Sequence, residues 1–120
     1  METTLWIVQT ALAALFLATG LTKLTQPRLK MAAGPMAWAQ DVTDVQFRTV
    51  GLLEVLGALG LILPPALGIA PVLVPLAATG LALTMVGAIA THLRLGETDR
   101  LAAPIAVLVL TLFAVVGAAA

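Results

Sequence analysis

The sequence predicts an all-α membrane protein: an antiparallel four-transmembrane-helix bundle with an interfacial segment between helices 1 and 2. Three observations predict it. Hydrophobic residues fill 61% of the 120 positions and charged ones only 10%, at a mean hydropathy of +1.09, leaving too little polar surface to solvate a globule of this size. Four apolar stretches each approach the ~20 residues that cross a hydrocarbon core as a helix. All six Lys and Arg residues lie in or beside just two of the connections between those stretches.

The first predicted span covers residues 5–24, interrupted by Gln9, Thr19, Gly20, Thr22 and Lys23, and Pro27 stops it. Residues 26–47 mix Pro27, Gly34, Pro35, Asp41 and Asp44 with Leu29, Met31, Met36 and Trp38. That stretch is too polar to cross, and reads as a loop with an interfacial helix in which Trp38 anchors at head-group level. The second span covers residues 45–63 and is closed by Pro64 and Pro65. Arg48 must lie at its mouth, because a start after Arg48 leaves fewer than the ~17 residues a span needs. A short uncharged turn follows, making spans two and three antiparallel neighbours. The third span covers residues 71–95, with Pro71 and Pro75 in its first turns, where missing amide donors cost least. Gly96 to Arg100 form the next turn, and residues 102–119 are the fourth span, with Pro104 in its first turn. The expectation is one domain over residues 1–120.

Lys23, Arg28, Lys30 and Arg48 flank the first connection, and Arg94 and Arg100 flank the third. Short connections rich in Lys and Arg stay cytoplasmic, so the expected protein is multi-pass in a bacterial plasma (inner) membrane with both termini outside. Glu2 stands where a signal peptide would be basic, so the first span reads as a retained anchor. A formal net charge of zero argues against a nucleic-acid partner. The absence of Cys excludes disulfides, thiol catalysis and Cys-ligated metal, and a single His cannot supply bis-His haem ligation. No metal site and no obligatory cofactor are expected. The expected partners are the lipid bilayer and further copies of the chain.

Glu54 is the residue that demands a reason, since it lies about two turns inside the second span, where an ionised carboxylate costs ~3 kcal/mol. Its helical face also carries Phe47, Val50, Gly51, Gly57, Ala58 and Leu61, so another helix or a ligand could approach closely. Lys23 shares a polar stripe with Gln9, Ala13, Phe16, Thr19 and Gly20, and its stem could reach inward to Glu54 or snorkel outward. His92 follows Gly80, Thr84 and Ala88 at steps of four on the third span. Lys23, Arg48, Glu54, His92 and Arg94 thus come from three helices to one membrane level. They form either a polar plug, with Glu54 paired to Lys23 or Arg48, or a small cavity for an amphiphile such as a quinone head group, or a proton path. None is assigned a catalytic role. Gly20, Gly51, Gly57, Gly80, Thr84 and Ala88 are the candidates for close helix packing.

The run from Phe16 through Gly20 to Lys23, the run from Arg48 through Gly51, Glu54 and Gly57 to Pro64, and Val86 to Ala88 with His92 and Arg94 together resemble a DoxX-like membrane protein over the full length. The resemblance implies a four-helix membrane fold and a link to membrane redox systems, since relatives include a subunit of a thiosulfate:quinone oxidoreductase. It does not imply catalysis. The expected function is a non-catalytic or accessory subunit of a redox- or quinone-linked complex. The alternatives are a small proton-coupled transporter of the multidrug-exporter kind and an assembly factor for other membrane proteins. An exporter would carry its carboxylate in the first span and line its cavity with aromatics, whereas this chain has two Trp, three Phe and no Tyr.

Overall fold

The computed structural model describes residues 2–34 and 36–119; Pro35, counted above in the polar connection between the first two spans, lies outside them. Five α-helices follow in order: α1 Thr3–Thr25, α2 Arg28–Ala32, α3 Asp44–Leu67, α4 Leu73–Arg94 and α5 Ala102–Ala119. Short 3-10 turns at Ala37–Asp41 and Thr98–Arg100 complete the two polar connections. α1, α3, α4 and α5 are each long and apolar enough to cross a membrane.

Local chemistry sets the helix ends. Pro27 stops α1 one residue after Gln26, whose N–H still reaches Thr22 O. Thr43 opens α3 with a capping box: its hydroxyl oxygen accepts from Gln46 N at 3.1 Å, and Gln46 Oε1 accepts from Thr43 N at 2.9 Å. Asp44 adds a negative charge at the positive end of the helix dipole. Gly68, at φ +66°, ends α3 in the left-handed conformation that glycine adopts without penalty.

Two boundaries differ from the sequence expectation. α3 does not close at Pro64 and Pro65 but continues through them to Leu67. A proline removes the hydrogen bond to the carbonyl four residues earlier, so Pro65 orphans the carbonyl of Leu61. The buried side chain of Gln9 supplies the replacement, donating from Nε2 to Leu61 O at 2.8 Å across the α1–α3 interface. Pro71 is not inside α4 but in the turn before it, where its carbonyl accepts from Val74 N. Pro75 does sit in the first turn of α4, where a missing donor leaves nothing unsatisfied.

The helices pack in a ring in which α1 touches α3 and α5, and α4 touches α3 and α5. At the end remote from the two polar connections the ring is solid. Leu12, Phe16, Ala58, Leu61, Ala78, Leu81 and Ala114 form its core, and Gly117 packs against the side chain of Leu5. The outer faces carry exposed Leu56, Leu83, Val109 and Val116, as befits helices solvated by lipid rather than water. At the opposite, charged end the chain folds α2 and the first 3-10 turn against the start of α3. Ala32, Ala39 and Phe47 form a second small core there.

Candidate functional site

The site begins where α1 and α3 touch backbone to backbone. A Cβ built on Gly20 would lie 2.7 Å from Gly51 O, and one built on Gly51 would lie 2.7 Å from Lys23 Cβ. Only a side chain of one hydrogen fits on both sides of this crossing. It presses the last turn of α1 onto the second turn of α3 and so delivers Lys23 to Glu54.

Lys23 Nζ donates to Glu54 Oε1 at 2.6 Å, with side chains only 8% and 2% exposed. Thr19, one turn before Lys23, donates its hydroxyl to Glu54 Oε2 at 2.7 Å. Both carboxylate oxygens are therefore held, each by a donor from the same face of α1. A carboxylate removed from water needs this: an opposite charge plus hydrogen bonds to its remaining lone pairs. Thr19 was visible in the polar stripe of the first span, but its spacing from Lys23 was the only signal that it shares the acceptor.

Arg48 takes a different role from the charge partner considered for it. Its guanidinium donates to Gln26 O at 2.8 Å and also to Lys23 O, the carbonyls that α1 leaves unpaired at its end. Arg48 thus caps α1 with a positive charge at the negative end of the helix dipole. Arg28 fastens the connection above it, through Nε to Asp44 Oδ1 at 2.9 Å and through Nη1 to Ala39 O at 2.8 Å.

Between this pair and the end of α4 lies a cavity of about 340 Å³, lined by Lys23, Trp38, Glu54, Thr84, Met85 and His92 among others. Trp38, expected as a head-group anchor, is turned into the wall. Its ring lies 5.7 Å from that of Phe47, and Lys23 Nζ stands 5.8 Å from its centroid, within cation–π range. His92 reaches the cavity from the last turn of α4, with Nδ1 3.4 Å from Glu97 Oε1. Arg100 Nε lies 3.3 Å from the other oxygen of Glu97.

Arg94 does not join the group. It is exposed beyond the rim of the cavity, because two residues of helix turn it about 200° away from His92. The small residues of α4 also depart from the packing expected of them. A Cβ on Gly80 would meet nothing within 4 Å, and Thr84 and Ala88 line the cavity instead. The face of α4 that enters the core carries Val74, Ala78, Leu81 and Ala82. Gly57 does lie at a tight contact, against Leu81.

The cavity thus has a neutralised ion pair on one side, an aromatic ring above, and hydroxyl and imidazole groups opposite. It can hold a small polar head without net charge, and both oxygens of its carboxylate are already bonded. Comparison with curated proteins and with solved structures returned no match. The family model described as the DoxX-like family matches residues 7–114, a stretch that contains the Gly20–Gly51 crossing, the Lys23–Glu54 pair and His92. The chain belongs to the DoxX-like family.

Proposed function

We propose that this protein is a non-catalytic, accessory membrane subunit of a quinone-linked redox complex in the bacterial plasma membrane, and that its cavity receives a neutral amphiphile's head group. The observation that carries the reading is the cavity beside Lys23 and Glu54: about 340 Å³, within the range of small-molecule sites. A quinone fits the residues present. The charges of Lys23 and Glu54 cancel, Trp38, Val42, Val50 and Met85 supply apolar contact, and the volume suits one ring, whose tail remains among lipid chains. When bound, a quinone supplies two-electron chemistry; the Lys23 ammonium would hold and orient its head. The bonding of both Glu54 oxygens supports a holding role over that of a proton-exchanging transporter, which needs a carboxylate free to load and release.

Mild-detergent purification of the tagged protein should bring out a stoichiometric partner protein and a solvent-extractable quinone. Recovery of the chain with neither would overturn the reading. The same proposal places the charged end, with Lys23 and His92, on the cytoplasmic side. The chain lacks Cys, so single cysteines report sidedness without background. Ala66→Cys should react with a membrane-impermeant maleimide in intact cells, and Asp99→Cys only after lysis. The reverse pattern would invert the topology.

A further inference from the structure

The two walls of the cavity differ in what they can offer a ligand. On α4, Thr84 and Thr91 already donate their hydroxyl hydrogens within the helix, to Gly80 O at 3.0 Å and Gly87 O at 2.8 Å. What each oxygen retains is acceptor capacity. His92 Nδ1 lies 3.4 Å from Glu97 Oε1, and an ionised carboxylate only accepts, so this contact is made by the tautomer with its hydrogen on Nδ1. In the neutral ring Nε2 is then a lone-pair acceptor, its tautomer set by the outer partner. Glu97 is itself fixed, by Arg100 at 3.3 Å and by its own N–H, which donates to His92 O at 2.8 Å where α4 ends. The opposite wall is rich in donors, since Lys23 gives one N–H to Glu54 and keeps others.

We infer that the cavity selects the hydroxyl-bearing, reduced form of a neutral ring head group, a quinol or related phenol, over the carbonyl-bearing oxidised form. The inference rests on the reading of the cavity as a head-group site and adds its chemical preference. A quinone brings acceptors alone, and along α4 these meet the lone pairs of Thr84, Thr91 and His92. A quinol brings hydroxyl hydrogens to those lone pairs and still offers oxygen to Lys23. A wall whose remaining capacity is all lone pairs favours the ligand that brings hydroxyl hydrogens over the analogue that lacks them.

The test is equilibrium binding of a one-isoprene benzoquinol, under anaerobic reducing conditions, and of the matching benzoquinone to the full chain in lipid nanodiscs. Empty nanodiscs correct for partitioning. The quinol should bind at least about tenfold more tightly. Thr84→Val and Thr91→Val, near in shape but without the oxygen, should each narrow that ratio by weakening quinol binding while quinone binding is not weakened. Equal or tighter quinone binding by the unaltered protein overturns the inference and leaves the head-group reading standing. A quinol preference untouched by both valine variants overturns the assignment to the α4 wall. Failure of either form to bind above the empty-disc background overturns both readings.

Discussion

Replacing Lys23 by Ala is expected to destabilise the folded bundle by about 3 kcal/mol, the range measured when one partner of a buried ion pair is removed. The double change Lys23→Ala with Glu54→Ala should be less damaging than the single one, recovering at least about 1 kcal/mol. The reason lies in the geometry. Glu54 is 2% exposed and its Oε1 is held by the Lys23 ammonium at 2.6 Å; without that charge it keeps, among the described residues, only the Thr19 hydroxyl, and an orphaned carboxylate in a membrane is worse than none. Thermal unfolding in mild detergent, followed by loss of the monodisperse gel-filtration peak, gives the ranking. Losses that simply add across the two single variants would mean that the contact carries no coupling energy.

Gly51→Ala and Gly80→Ala should act in opposite directions although both add one methyl group to a membrane helix. At Gly51 the new carbon would lie 2.7 Å from Lys23 Cβ and 2.9 Å from Gly20 O. Neither neighbour is the free end of a flexible chain, so α1 and α3 must separate, at about 1–3 kcal/mol. At Gly80 the carbon meets nothing within 4 Å, and the lower backbone entropy of Ala should stabilise α4 by about 0.5–1 kcal/mol. The same melting assay compares them. Equal effects of the two substitutions would show that the α1–α3 crossing is looser than its geometry.

The spans were legible because length and hydropathy are properties of one helix at a time. Glu54 and Lys23 were legible too: the buried face of α1, with Gln9, Ala13, Phe16, Gly20 and Lys23, follows the polar stripe read along the first span. What the sequence hid depended on a second helix. Pro64 and Pro65 read as a stop because nothing local shows that Gln9, 52 residues before Leu61, reaches its carbonyl. The Gly80–Thr84–Ala88 row read as a packing seam because small residues permit close approach without compelling it. Arg94 read as part of the cluster because height in the membrane is visible in sequence while direction around the axis depends on which face the core takes. Trp38 was legible as an aromatic of the first connection, but its approach to Lys23 and Phe47 is made between elements and has no local signal.

The amide of Gln9 has a mechanical consequence. It ties α1 to α3 near one end, Thr19 and Lys23 tie the same helices at Glu54, and Arg48 ties them again where α1 stops. Three rivets along one seam, with two glycines pressed together between them, make α1 and α3 a single stiff plank. α4 has no such rivets to α3 among the described hydrogen bonds and meets it through Leu81 on Gly57 and Ala77 on Gly60, contacts that can slide. Breathing of the cavity therefore belongs to α4, while the carboxylate and its two donors stay fixed as the stator against which it moves.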